Sequence, residues 1–257
     1  MLATLYVVHG SHPCATVKRA LELKGVEHRV VEWPPAAHVV PQTLLFRRRT
    51  VPGLKLEDGD RISGSRAILR RLDELVPDPP LVPADGIARE RVLEAERWGD
   101  EWLQPLVRRV LWWALDHRPT AIGSFQEHST LPLPPAIRPL LTPAIVGVER
   151  RLNHVTDKGV RADLRDLPLA LDKVDDWLRD GTLGGPGQNA ADLQIAAGLR
   201  LLMTMEDLDG PFRERPAGEL ALRIFPEWDG HVPAGAFPEE WLRGLPVAPR
   251  SSGATRA

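Results

Sequence analysis

The sequence predicts an α/β front joined to an all-helical back, and three observations carry that expectation. Leu5-Tyr6-Val7-Val8 runs into Gly10-Ser11, Val17, Ala20 and Leu21 then recur at helical spacing, and the stretch from Val26 to Trp33 alternates around Val30 and Val31. Asp58-Gly59 separates two short stretches that can pair as a hairpin, because Asp-Gly tolerates the positive φ angles of a tight turn. Beyond a proline-rich segment at 76–85, apolar residues recur at helical spacing.

Taken in order, residues 2–8 read as a strand and 13–24 as a helix stopped by Gly25. Residues 26–33 read as a second, parallel strand, which completes a βαβ unit. A short helix is expected from about His38 to Phe46, ending in Arg47-Arg48-Arg49. Thr50 to Leu56 and Arg61 to Ser63 supply the hairpin, and Gly64-Ser65 opens a helix with Ile68, Leu69, Leu72 and Leu75 on one face.

In the second half, Trp98, Trp102, Leu106 and Val110 form one row and Leu103, Val107 and Leu111 the next. A long amphipathic helix is expected over 87–115, kinked near Pro105. Tryptophans at this spacing are expected in the core or at a dimer interface, with a substrate cleft as the alternative. The five prolines of 131–143 predict a loop or broken helix, followed by a helix over about 143–155. Leu171, Val174, Trp177 and Leu178 mark a helical face ending at Gly181. Asn189 followed by Asp192 has the spacing of a capping box at the head of a helix through Leu193, Ile195, Leu199 and Leu202. One more helix is expected over 216–225. Beyond it an extended tail runs over 226–257, its last residues from Arg250 to Ala257 expected to be mobile.

Composition narrows the function. The chain has 257 residues, 43% hydrophobic and 26% charged, with a formal net charge of -2. That balance offers no field to attract nucleic acid or an anionic membrane. The single cysteine excludes an internal disulfide and a cysteine-rich zinc site, and fits a reducing compartment. No apolar run has the length of a membrane span and the N-terminus lacks a basic signal-peptide region, so a cytoplasmic location is expected. The eight histidines are scattered without a credible metal-binding pair, so no metal is expected. Gly184-Gly185-Pro186-Gly187 lacks the strand and lysine of a phosphate loop.

The chemistry-bearing stretch is Ser11-His12-Pro13-Cys14 at a strand-to-helix turn. Free N–H groups and the positive end of the helix dipole favour an anion there, and a thiolate is a natural guest. Ser11 is the candidate hydroxyl donor to such a thiolate, its alternative role being a plain N-cap. Cys14 has the position of the second cysteine in a Cys-x-x-Cys pair, with serine in place of the first; a partly buried structural thiol is the favoured reading over a redox one. His12 at an exposed turn can contact substrate or titrate near neutrality, although a histidine there is usually incidental.

Ser-x-x-Cys with Val17-Lys18-Arg19-Ala20-Leu21, then Val51-Pro52, then Ser63-Gly64-Ser65-Arg66-Ala67-Ile68, and far downstream the Asn189 box, fall in one order. That order resembles the soluble glutathione S-transferases of the serine-active-site type, over roughly residues 2–225. The resemblance implies a thioredoxin-like N-terminal domain (βαβ-α-ββα) at 1–77 and an all-helical substrate and dimerisation domain at 86–225. It implies a homodimeric detoxifying transferase that takes glutathione as co-substrate and adds its thiol to an electrophilic small molecule.

It further implies roles for particular residues. Val51 would pair its backbone with the cysteinyl unit of glutathione, ahead of a cis Pro52. Ser65 would bind the γ-glutamyl carboxylate through its hydroxyl and N–H, a pure helix cap being its alternative role, and one of Arg47 to Arg49, with Arg49 preferred, would approach the glycyl carboxylate. Gly64 stands where the family has an acid or amide that contacts the γ-glutamyl end. That departure admits a different low-molecular-weight thiol, or a binding or scaffold protein that kept the fold without catalysis. A glutathione-dependent reductase or isomerase using Cys14 is the third reading.

Overall fold

The computed structural model describes residues 2–245. Strand β1 (Leu2–Val7), helix α1 (His12–Leu23), β2 (Glu27–Glu32), α2 (Val39–Phe46), β3 (Gly53–Lys55), β4 (Arg61–Ser63) and α3 (Ser65–Leu75) follow one another as expected. The sheet runs β2-β1-β3-β4, with β1 parallel to β2 and antiparallel to β3. Leu5 faces Val30 on one side and Leu54 on the other, which sets the register. Side chains alternate across a strand, so Leu5 and Leu54 bury with Val17, Leu21, Ile68 and Leu72 on one face. Tyr6 turns to the opposite face, where its ring meets Phe46 of α2 at 5.4 Å and Trp33 at 5.0 Å. Phe46 lies so close over Gly53 that any Cβ there would stand 2.6 Å from its ring.

The helical half contains α4 (Gly86–Trp98), α5 (Gln104–His117), α6 (Arg138–Leu152), α7 (Asp157–Arg179), α8 (Ala190–Leu202), α9 (Glu206–Arg213) and α10 (Pro216–Ile224). The long helix expected over 87–115 divides into α4 and α5 across a π-helical turn, Gly99–Leu103. Pro105 has no N–H to donate to the preceding turn, and the turn before it widens. Gly99 at this break lets α8 approach, since an added Cβ would lie 3.0 Å from Gln194 Cγ.

Two expectations need correction, and two elements had none. Helix α6 begins at Arg138 rather than near 143: Pro139 sits in its first turn, where a missing N–H costs nothing, and Pro143 is carried inside. Helix α7 begins at Asp157, a dozen residues before the face read from the sequence. Its core row starts at Val160 and Leu164, and Thr156 caps it by accepting the Gly159 N–H at 3.1 Å. Helix α9 and a 3₁₀ segment, Pro119–Gln126, had no expectation; each is eight residues long and carries both a proline and a glycine, too short and too interrupted to show a period.

The predicted capping box is present. Asn189 Oδ1 accepts the Asp192 N–H at 3.0 Å and Asp192 Oδ2 accepts the Asn189 N–H at 3.0 Å. Helix α8 is buried around almost its whole circumference and joins the two halves: Thr16 Oγ1 of α1 donates to the Leu193 carbonyl at 3.1 Å.

Residues 226–245 are packed rather than loose. Val232 pairs as a bridge with Met205 and is fully buried, the Asp207 carboxylate accepts the N–H groups of Gly235 and Ala236 at 2.8 Å, and Trp241 lies 5.0 Å from Trp113. The expected mobile residues from Arg250 to Ala257 lie outside the described residues. Among the described residues no helix is long and apolar enough to cross a membrane, and no cluster of acidic, histidine or cysteine side chains could hold a metal ion.

Candidate active site

A cavity of about 290 Å³ lies where the end of β1, the head of α1, the loop before β3, and helices α5 and α6 meet. Ser11 is in its wall as the N-cap of α1, and its side chain makes no capping bond. Its carbonyl accepts the N–H groups of Cys14 and Ala15, both at 3.0 Å, so the turn is held by backbone and the hydroxyl is not needed for it. His12 and Val51 face the same space, as does Arg49.

Val51 precedes Pro52 through a cis peptide bond. Its own N–H and C=O make no hydrogen bond among the described residues, while its neighbours are engaged: Gln42 Nε2 donates to the Thr50 carbonyl at 2.8 Å and the Gly64 N–H to the Pro52 carbonyl at 3.0 Å. Such a free edge is what an extended ligand backbone pairs with. Arg49 is exposed and donates to the Leu152 carbonyl at 3.1 Å.

Helix α5 presents Arg108, Leu111, Trp112 and Leu115 to the cavity, one face at helical spacing, and Phe125 and Ile122 close the apolar side. Arg109 is tied to α7 by two bonds of 2.7 Å to the Asp163 carboxylate. Glu149 of α6 is buried and accepts the Ala36 N–H at 2.9 Å and Asn153 Nδ2 at 3.1 Å. Burial pushes its carboxyl above the usual range against those bonds.

Two histidines in this wall are neutral at physiological pH. His12 is only 2% exposed, and burial first, then the Arg108 guanidinium, hold its pKa well below the ordinary value. The expectation of an exposed His12 titrating near neutrality is therefore corrected: the ring turns into the protein at the head of α1. His38 is pushed down to about 4 by burial and by the Arg49 charge. Cys14 is fully inside, 5% exposed, and burial raises its thiol to about 11 despite hydrogen bonding to Ser11 and Val8. It does not reach the cavity wall.

Residues 5–80 match the model of the glutathione S-transferase N-terminal domain. The whole chain also superposes on solved glutathione S-transferases. One from Sinorhizobium meliloti has TM-score 0.62 and 17% identity over 98% of this chain and 97% of that one. One from Methylobacterium radiotolerans, in complex with glutathione sulfonate, has TM-score 0.58 and 18% identity over 87% and 90%. Residues 5–80 thus carry a glutathione S-transferase N-terminal domain, and the chain as a whole has the fold of these structures. FzlA from C. crescentus is also similar, at TM-score 0.56 and 20% identity over 96% of this chain and 100% of that one. No curated protein sequence gave a significant match.

On this glutathione S-transferase fold the expected γ-glutamyl residues stand apart from the cavity. Pro52, Gly64 and Ser65 are absent from its wall. Ser65 is 3% exposed, and its Oγ accepts from Gln194 Nε2 at 3.1 Å and Gln104 Nε2 at 3.3 Å. The same two amides donate to Asp100 Oδ1 at 3.3 and 3.0 Å. The Ser65 hydroxyl thus holds α3 to α5 and α8, a role invisible without the tertiary contacts.

The tryptophans of the expected long row do not reach the cavity. Trp98 stacks on Trp102 at 5.0 Å and meets Trp177 at 5.3 Å, while Trp112 and Trp33 supply the cavity's indoles. Arg108 and Trp112 were legible as an i, i+4 pair once the α5 face had a direction; His38 and Glu149 carried no sequence signal.

Proposed function

We propose that the chain is a glutathione S-transferase-like enzyme that activates a small thiol, with glutathione the leading candidate, at Ser11 for attack on an electrophile in the cavity. The observation that carries this reading is Ser11 itself: a cavity-wall hydroxyl at a helix N-terminus, free of capping duty, with the unpaired Val51 backbone facing the same space. A free thiol ionises mostly above neutrality, and the thiolate is the nucleophile. A hydroxyl donor and the N–H groups of the first helical turn both favour that anion. The thiol proton leaves to solvent, the sulfur lone pair forms the new S–C bond, and the leaving group departs with the electrons of the bond it breaks. Cys14 takes no part, since it is buried and protonated, which disfavours the reductase reading.

Ser11→Ala should lower kcat/KM for glutathione with 1-chloro-2,4-dinitrobenzene by about tenfold or more, with a higher pH midpoint for the reaction. Unchanged turnover and pH profile would remove Ser11 from the mechanism. A second reading, binding without catalysis, draws on Ser65 Oγ being held by two amides away from the cavity. Calorimetry separates the two: no heat with millimolar glutathione, together with no turnover of electrophiles, favours the second.

In this proposal the protein works as a homodimer of chains, each divided near residues 77 and 86 into a thiol-binding and a helical domain, in the cytoplasm.

A further inference from the structure

The cavity wall holds a cation to which no carboxylate among the described residues bonds. Of the three guanidinium groups facing it, Arg109 is consumed by Asp163 through two 2.7 Å bonds. Arg49 is exposed to solvent and bonded to a carbonyl. Arg108 makes no ion pair with any carboxylate among the described residues; its one protein bond is a long one, 3.4 Å to Gln104 Oε1. Burial works against its charge; the Asp100 and Glu149 carboxylates favour it from a distance without bonding to it, and Arg49 and Arg109 add repulsion. A guanidinium placed this way costs solvation that a bound anion would restore, through paired hydrogen bonds to two oxygens.

A second, independent observation points to a ligand in the same place. His12 Nε2 is buried without a hydrogen-bond partner, in a residue of the cavity wall that lies within the reach of Arg108's charge. Buried ring nitrogens are ordinarily satisfied. A neutral imidazole carrying its proton on Nε2 donates one bond to an anion without adding charge. Of the two nearby carboxylates, Asp100 accepts the Gln104 and Gln194 amides, and Glu149 accepts the Ala36 N–H and the Asn153 amide.

The rest of the ligand follows from the helix. Leu111, Trp112 and Leu115 lie three, four and seven residues beyond Arg108, on the same face of α5, with Phe125 opposite. An anion at Arg108 that carried a flat apolar body would lay it along this row. We propose that Arg108 and His12 form a subsite for the carboxylate or sulfonate of an aromatic anion whose ring packs on Leu111, Trp112 and Phe125. Arg108 and the apolar row belong to α5 of the helical half, while His12 adjoins Ser11 on α1; we assign the anion to the second substrate, set beside the thiol site. Only that last assignment rests on the transferase reading; the binding itself needs no thiol.

The test uses the full chain without any thiol, with 2-naphthoate and its uncharged isostere 2-naphthamide, followed by calorimetry and by quenching of tryptophan fluorescence. The carboxylate should bind about tenfold or more tightly than the amide. Arg108→Gln should weaken naphthoate by about tenfold to a hundredfold and leave naphthamide unchanged, with Arg108→Lys in between. His12→Phe should weaken naphthoate to a smaller degree. Equal binding of the pair, absence of naphthoate binding at millimolar concentration, or an Arg108→Gln protein that melts like wild type and keeps full naphthoate affinity would overturn the proposal. Glutathione affinity in Arg108→Gln should be unchanged; a loss confined to glutathione assigns the guanidinium to the thiol and also overturns it. Ser11→Ala should bind naphthoate normally, so failure of the Ser11 mechanism and failure of this subsite give different results.

Discussion

His9 Nε2 stands 2.7 Å from Asp229 Oδ2, joining the end of β1 to a residue 220 positions away in the C-terminal segment. Asp229 also accepts His128 Nδ1 at 2.7 Å and the His128 N–H at 3.0 Å, and the other side of His9 faces Glu32 Oε1 at 3.4 Å. Glu32 in turn accepts Ser129 Oγ and the Thr130 N–H, both at 2.8 Å. Four chain segments are therefore pinned at one edge of the cavity, whose wall includes His9, Phe125 and Ser129.

Asp229→Asn keeps the shape and loses the charge, so it should loosen this clasp. Amide exchange over 229–237 should accelerate and stability should fall by about 1–2 kcal/mol. The clasp is also pH-sensitive. Burial raises the Asp229 and Glu32 carboxyls, but the hydrogen bonds from His128 and His9 to the one, and from Ser129 and Thr130 to the other, outweigh it and hold both below the usual range. Their stabilisation is complete above the unfolded value of about 4 and is lost as pH falls through the folded one. His128 is shifted up by its bond to Asp229, so its contribution is complete below about 6.5 and is lost as pH rises past the raised value. Protection of 229–237, corrected for intrinsic exchange, should therefore be greatest between about pH 4 and 6.5 and fall on both sides. A flat profile would contradict the clasp.

The two neutral cavity histidines predict a separate acid response. A folded pKa below the unfolded value means the unfolded chain takes up the proton first, so stability falls as pH drops from about 6.5 towards the folded value. For His38, held at about 4, this amounts to at most about 3 kcal/mol; Glu149, shifted upward by burial, gains its proton early in the fold and offsets part of it. His38→Gln should flatten the decline in urea-denaturation stability between pH 6.5 and 4 relative to wild type. The same slope in both proteins would show that His38 is not buried neutral.

Cys14 should be inert in the folded protein. With the thiol pushed up to about 11 and enclosed, iodoacetamide labelling at pH 8 should be about a hundredfold slower than in the urea-unfolded chain. Rapid labelling of the native protein would reopen a redox role. Cys14→Ala should leave thiol transfer intact, since the thiol does not face the cavity.

The capping box predicts an ordered pair of losses. Asn189→Ala should cost about 1–2 kcal/mol. Asp192→Ala should cost more, roughly 2–4 kcal/mol, because Asp192 also accepts the Gly184 N–H at 2.8 Å and its removal strands two partly buried donors. Urea denaturation measures both, and neither should alter ligand affinity in the cavity. A larger loss from Asn189→Ala would reverse the order.

The sequence by itself determined the strand-helix alternation of the first 75 residues, the Ser11 turn, the Val51-Pro52 and Gly64-Ser65 positions, and the Asn189 box. Each is local: period 2 against period 3.6, a turn dipeptide, a cap spaced three residues from its partner. Only the tertiary structure decided which of those residues share the cavity. Ser65 read as a ligand residue from its place at a helix start, but two glutamines from α5 and α8 close on its hydroxyl. His12 read as exposed because a turn is usually at the surface; α1 instead docks with its head inward, so burial neutralises the ring. Arg108, Glu149 and Asp229 meet Ser11's neighbourhood from segments about 100 to 220 residues away, and no periodicity encodes a contact over that distance. Long-range packing sets burial, and burial sets charge state. The residues were legible one by one, while their chemistry came from what folding placed beside them.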